Sequence, residues 1–270
     1  MAETDKVFAG SIPALYDRLL VPLIFEYYAR DLATRVAQTN PAHVLETAAG
    51  TGALAREMAA HLPANVAVTV TDLNQPMLDH AAARLRNDRR FVWRQADALA
   101  LPFADQTFDV VACQFGAMFF PDKVKGYAEG RRVLKSSGRF VFNVWDRIDQ
   151  NDFADVVTDA LATVFPQDPP RFMARTPHGY HDVARIREDV TAAGFASVAI
   201  ETLATTSKAA SPRDAAIAFC QGTPLRNDIE ARDAARLEEA TEVAAAALAR
   251  RFGAGAIEGR ISAHVITAVR

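Results

Sequence analysis

Hydrophobic spacing divides the chain into a helical opening, an alternation of short apolar runs with amphipathic stretches, and a helical tail closed by one more apolar run. From Ile12 to Gln38 the positions Leu15, Leu19, Leu23, Ile24, Tyr27, Tyr28, Leu32 and Val36 recur at helical spacing, and Pro22 is expected to break the run into two helices. Ala42 to Leu45 then predicts a first strand, Ala53 to His61 a helix ended by Pro63, and Asn65 to Thr71 a second strand. Phe91 to Arg94 reads as a third strand. The apolar run that Phe108 opens reads as a fourth, buried on both faces. Val124 to Leu134 reads as a helix, Lys135 to Gly138 as a turn and Arg139 to Trp145 as strand five. Strands that alternate with helices in this way make a mostly parallel α/β sheet.

Beyond Trp145 the pattern predicts a helix over Asp152 to Phe165, an irregular proline-rich connection over Pro166 to Pro177, and a helix over Asp182 to Ala193 closed by Gly194. A sixth strand is expected over Ala196 to Leu203. Ser211-Pro212-Arg213-Asp214 has helix-start chemistry, Asp228 to Arg251 reads as one long alanine-rich helix, and Ile257 to Val269 as the last strand.

Composition narrows the class without naming a function. With 270 residues, half of them apolar, and a net charge of −3, the chain suits one large α/β domain and no polyanionic partner. Arginines outnumber lysines but lie among acids, as in Arg84, Arg86, Asp88, Arg89 and Arg90, which is the pattern of a solvated helix end. Two cysteines, Cys113 and Cys220, can build neither a disulfide framework nor a zinc site. The opening Met-Ala-Glu-Thr-Asp-Lys has no signal-peptide pattern, and no apolar run approaches a membrane span, so a cytoplasmic protein is expected.

Candidate chemistry starts at Val44-Leu-Glu-Thr-Ala-Ala-Gly-Thr-Gly52, a strand that runs into a glycine turn and then a helix. Such a turn lines a crevice with backbone at the sheet's carboxyl edge. Two readings compete. Gly50-Thr51-Gly52-Ala53-Leu54-Ala55 satisfies the dinucleotide fingerprint, with Asp72 at about the offset of a ribose-binding acid. The alternative starts at Glu46, and Glu46-x-Ala48-x-Gly50-x-Gly52 resembles motif I of the class I S-adenosylmethionine (SAM)-dependent methyltransferases, with Ala48 where the first glycine usually stands. A carboxylate beside the turn opposes the pyrophosphate of a dinucleotide and suits the ammonium and sulfonium of SAM.

Later residues extend the resemblance. Asp72 ends strand two, where an acid can hold both ribose hydroxyls; the competing reading is a helix N-cap, since Pro76 follows near the first turn of a helix. Leu73 and Met77 would wall the adenine. Gln95-Ala96-Asp97-Ala98-Leu99 with Pro102-Phe103 resembles the adenine-reading motif, Asp97 accepting from the exocyclic amine and Ala98 N–H reaching a ring nitrogen. Gln114 and Phe115 fall at the end of strand four, over the reactive end of the cofactor. Tyr16-Asp17-Arg18 resembles a segment of enzymes similar to the ubiquinone/menaquinone-type methyltransferases, in which such a tyrosine often lies near SAM. Arg132-Val-Leu-Lys-x-x-Gly-Arg-Phe140 also looks like that family, so the resemblance spans Tyr16 to Trp145.

The resemblance implies a Rossmann-like seven-stranded sheet with an antiparallel last strand, SAM as cofactor, S-adenosylhomocysteine as product and a small-molecule acceptor methylated on O, N or C. It implies one domain over 1–270: N-terminal helices or lid (1–40), SAM-binding core (41–146), and a C-terminal part (147–270) whose insertions form the acceptor side, with Phe172 to His181 and Gln221 to Arg226 lining it. No Asn/Asp-Pro-Pro-Tyr/Phe tetrapeptide follows strand four, so a nucleic-acid substrate is not expected. His178, His181 and Tyr16 are the candidates for catalysis; two histidines with no third ligand close by make a poor metal site, and no metal is expected. A nicotinamide-dependent oxidoreductase and a non-catalytic SAM-binding protein are the alternatives. Acceptor and oligomeric state, a homodimer included, stay open.

Overall fold

The computed structural model describes residues 12–270; the expectations for the opening residues, including the absent signal peptide, lie outside the described residues. Seven strands form one sheet: β1 (His43–Glu46), β2 (Ala67–Asp72), β3 (Phe91–Gln95), β4 (Phe108–Gln114), β5 (Leu134–Trp145), β6 (Ser197–Ala209) and β7 (Ile257–Val269). Their order across the sheet is β3-β2-β1-β4-β5-β7-β6. The first five pair in parallel. β7 runs against β5, since Asp146 N–H donates to the Ser262 carbonyl while Arg270 N–H donates to the Gly138 carbonyl. The order reverses direction at β1, which puts the β1–β4 crevice at the switch point where α/β sheets bind ligands.

Helices are α1 (Ile12–Leu15), α2 (Glu26–Ala37), α3 (Ala53–His61), α4 (Gln75–Arg84), α5 (Lys123–Val133), α6 (Asp152–Val164), α7 (Phe172–Arg175), α8 (Val183–Ala192), α9 (Pro212–Gln221), α10 (Leu225–Asp233) and α11 (Leu237–Phe252). The described chain forms two compact units. One holds the residues up to Phe25, Trp145–Gly179 and Ala204–Ala263; the other holds Glu26–Val144, Tyr180–Leu203 and His264–Arg270. In the first, α11 packs on α6 and α9 around Phe153, Leu161, Phe219 and Leu248. In the second, Val44, Val68, Val70, Val110 and Val141 from the strands meet Leu32, Val36, Leu54 and Met58 from the helices. These strand residues share one face of the sheet, and Leu45, Val111 and Phe140, buried as well, occupy the other, so the valine-rich strands are covered on both sides.

Four local expectations are corrected. Pro22 does not split the first helix: α1 and α2 are joined by a π-wound segment, Tyr16–Phe25, whose wider turns absorb the missing N–H. Lys135 to Gly138 is not a turn ahead of β5 but a bulge inside it. Phe108 pairs with Leu134 and Val110 with Arg139, and Ser137 takes a φ of +68°. The proline-rich connection holds α7, because Asp228 Oδ2 accepts from Arg171 N–H and Phe172 N–H, both at 3.0 Å. The long alanine-rich helix is two, because Asp233 leaves helical geometry and its carboxylate accepts from Ala235 N–H at 3.0 Å.

Candidate functional site

The expected crevice is built by the tips of β1, β2, β3 and β4, all in the second unit. Glu46 closes β1 between Val70 of β2 and Ala112 of β4. Its side chain is fully buried and neither carboxylate oxygen has a hydrogen-bond partner among the described residues. Burial first, then repulsion from Asp72, raise its pKa well above the ordinary carboxylate range, with Arg56 pulling weakly the other way. A buried acid without a partner is costly, and so points to something that arrives from outside.

The turn after Glu46 is left-handed at three alternate residues: Ala48 (φ +52°), Gly50 (+56°) and Gly52 (+77°). The sequence departs from the resembled motif only at Ala48, and its backbone follows the glycine path there, at the strain a Cβ brings to that region. Gly116, just beyond β4, makes room for the methyl. A Cβ on Gly116 would fall 2.4 Å from Ala48 Cβ and 2.8 Å from Cys113 Sγ. Gly116→Ala is therefore expected to destabilise the fold by about 1–3 kcal/mol through overpacking, measured as a lower midpoint in urea with an unchanged slope.

Asp72, 6% exposed, holds the turn from β2. Its Oδ2 accepts from Gly50 N–H at 2.8 Å and its Oδ1 from Asn74 N–H at 2.7 Å. The N-cap of α4 is Asn74, without a side-chain cap bond, so the helix-cap reading of Asp72 is corrected. Asn74 Nδ2 also donates to Oδ1, at 3.5 Å, so of the carboxylate's roughly four acceptor sites the open one lies on Oδ2, where a ribose hydroxyl can donate. Burial raises the Asp72 pKa, while the N–H bonds from Asn74 and Gly50 oppose the shift. Leu73 beside it is 49% exposed, an apolar face open at the crevice, whereas Met77 is buried with its Cε 3.6 Å from where a Gly50 Cβ would lie.

Asp97 and Ala98 form the tight turn after β3. Asp97 is exposed; its Oδ1 accepts from Leu99 N–H at 2.9 Å and its carbonyl from Ala100 N–H at 3.0 Å. Gln114 ends β4 opposite Asn143 of β5. Phe115 follows with a φ of +48°, and its N–H donates to Asn143 Oδ1 at 2.9 Å.

The structure thus brings together Glu46, Ala48, Gly50, Gly52, Asp72, Leu73, Met77, Asp97, Ala98, Gln114 and Phe115 along adjacent strand ends. The catalytic candidates divide between the two units. Tyr16 belongs to the first unit, half-buried and stacked on Phe25 with centroids 5.2 Å apart. His178 falls in the first unit and His181 in the second. His178 is buried at 4% exposure beside Trp145 and borders a narrow apolar cleft with Ile24, Phe153, Phe219 and Ile261. Its Nδ1 lies 2.9 Å from the Asp146 carbonyl, which can only accept, so Nδ1 carries the proton. No group of three or more His, Cys, Asp or Glu side chains among the described residues is arranged to hold a metal ion.

Sequence reasoning missed Thr71, whose Oγ1 donates to the Glu46 carbonyl at 2.9 Å, and Asn143 and Gly116. Asn143 had a signal, being a lone amide inside the apolar run Phe140 to Trp145. Gly116 had none, since the Ala48 methyl that it admits comes from a turn far away in sequence.

With this geometry in place, the comparison with known families is decisive: residues 4–210 match the model of the ubiE/COQ5 methyltransferase family. The chain belongs to that family. A ubiquinone/menaquinone biosynthesis C-methyltransferase UbiE of Citrifermentans bemidjiense is 32% identical over 145 residues, which are 52% of this chain and 62% of that protein. The chain thus spans under two thirds of that relative's length. A demethylmenaquinone methyltransferase of Lactiplantibacillus plantarum is 30% identical over 190 residues, 67% of this chain and 77% of that protein. Among solved structures, the YcgJ protein of Bacillus subtilis shares the fold with a TM-score of 0.57 at 17% identity, over 90% of this chain and 98% of that one. The ubiE/COQ5 relationship and the strand order agree on a Rossmann-like methyltransferase sheet.

Proposed function

We propose that this ubiE/COQ5-family chain binds SAM across the tips of β1 to β4 and transfers its methyl group to a small-molecule nucleophile. Glu46 carries the reading: a fully buried carboxylate with no partner among the described residues fits the ammonium of SAM and opposes the pyrophosphate of a dinucleotide. In this reading Ala48, Gly50 and Gly52 bring backbone close to the methionine portion and Asp72 takes a ribose hydroxyl. Asp97 and Ala98 read adenine between Leu73 and Met77, and Gln114 and Phe115 face the reactive end.

SAM supplies an electrophilic methyl already activated by positive sulfur. What remains for the chain is to hold cofactor and acceptor in line and keep water out, which can supply much of the rate. A base is needed only for an acidic acceptor, and His178, His181 and Tyr16 are the candidates for it. The names of the relatives support a quinone-type acceptor, methylated on carbon. Residues 211–270 lie beyond the family match and supply α9, α10, α11 and β7, so phenols and amines are candidate acceptors as well. We read residues 1–270 as a single domain, a reading that the seven-stranded sheet supports. No helix among the described residues is long and apolar enough to cross a membrane.

Calorimetry with SAM, S-adenosylhomocysteine, NAD and NADP tests the reading. Saturable heats are expected for the two sulfur ligands and none for the dinucleotides; binding of NAD alone would reverse the assignment.

A further inference from the structure

Asn143 lies inside the apolar run of β5 and is fully buried, yet the proposed cofactor site does not use it. Its Oδ1 accepts from Phe115 N–H at 2.9 Å, and because an N–H can only donate, the oxygen is the atom that faces it. Phe115 is held in the left-handed region that a bulky side chain avoids, at 5% exposure. Its ring meets Tyr28 edge to face, with centroids 5.4 Å apart and planes at 86°. Tyr28 is anchored in turn by donating its hydroxyl to the Leu203 carbonyl at 3.0 Å. The next residue, Gly116, lies against the Ala48 turn with no space for a Cβ. Three contacts therefore fix one strained aromatic residue at the tip of β4, next to the strand that ends in Glu46.

We propose that Asn143 is a positioning residue that acts through Phe115, holding the aromatic ring beside the sulfonium end of the cofactor. The inference rests on the SAM reading above. A positive sulfur bearing a methyl group is attracted to an aromatic face, and neutral S-adenosylhomocysteine is not. Loss of Asn143 Oδ1 frees the Phe115 turn to leave the left-handed region, so the ring moves while Glu46, Asp72 and Asp97 keep their own contacts.

The test needs no acceptor. SAM and S-adenosylhomocysteine affinities are measured by calorimetry for the wild type, Asn143→Leu, Asn143→Asp, Phe115→Leu and the Asn143→Leu/Phe115→Leu pair, with melting curves to confirm folding. Asn143→Leu and Phe115→Leu are each expected to lower the ratio of SAM to S-adenosylhomocysteine affinity about threefold to tenfold. The double variant is expected to match Phe115→Leu alone, because one residue acts through the other. Asn143→Asp keeps an acceptor for the Phe115 N–H and is expected to retain the wild-type ratio; it and Phe115→Leu decide the matter should Asn143→Leu not fold. Equal weakening of both ligands, an unchanged ratio in Phe115→Leu, or independent effects in the double variant would overturn the proposal. Failure of the wild type to bind either ligand would overturn the SAM reading itself, and this inference with it.

Discussion

Glu46→Gln is expected to raise the melting temperature of the ligand-free protein at neutral pH and to weaken SAM binding about 10- to 100-fold, the loss of a hydrogen bond to a charged group. Both effects have one cause. The folded-state pKa of Glu46 is raised above the ordinary carboxylate value, so its share of stability is fully present below the unfolded pKa and declines as pH rises toward the folded one. Each pH unit in that window costs about 1.4 kcal/mol. The glutamine variant does not ionise and escapes the loss, so its thermal advantage should grow between pH 5 and 7, roughly the onset of that window, and vanish at pH 4. An arriving ammonium favours the ionised form and lowers the pKa, so SAM binding releases a proton and strengthens as pH rises through the ligand-free value. Calorimetry in buffers of different ionisation enthalpy reads that proton directly. A glutamine variant that binds as tightly as the wild type, with the same pH slope, would remove Glu46 from the site.

Asp72→Ala should do more damage to binding than the loss of a ribose contact alone. Its two oxygens hold Gly50 N–H and Asn74 N–H, so the alanine variant both loses the ribose acceptor and releases the turn that carries Gly50. A few kcal/mol of SAM affinity, about 100-fold or more, is expected. Asp72→Asn separates the two losses: its carbonyl oxygen can keep one backbone bond while its amide nitrogen cannot accept, so an intermediate affinity is expected. Unchanged SAM affinity in a folded alanine variant would remove Asp72 from the ribose role.

These two carboxylates illustrate how unevenly the site could be read from the chain. Strand–turn–helix order gave Glu46, Gly50, Gly52 and Asp72, because valine-rich runs, a glycine turn and an acid at a strand tip are local signals. α3 and β7 occupy the expected residues, Ala53–His61 and Ile257–Val269. Pro22 misled because a helix can widen its winding rather than end, and Lys135 to Gly138 misled because turn-forming residues also make a bulge when a neighbouring strand keeps pairing on both sides. Gly116 was illegible as a site residue because Ala48 comes from another strand end, whereas Asn143 stood out as a lone amide in an apolar run but its partner, Phe115 at the end of β4, could not be read from the chain.

The amino-acid sequence by itself determined the α/β class, the alternation of strands and helices, and the acidic and glycine positions at successive strand tips, since periodicity and turn chemistry act over a few residues. Tertiary structure alone decided that Glu46 is buried without a hydrogen-bond partner among the described residues, that Ala48 adopts a glycine's backbone against Gly116, and that Asn143 holds the Phe115 N–H. Burial, charge and close approach are properties of what surrounds a residue, and those surroundings are assembled from segments that the chain keeps far apart.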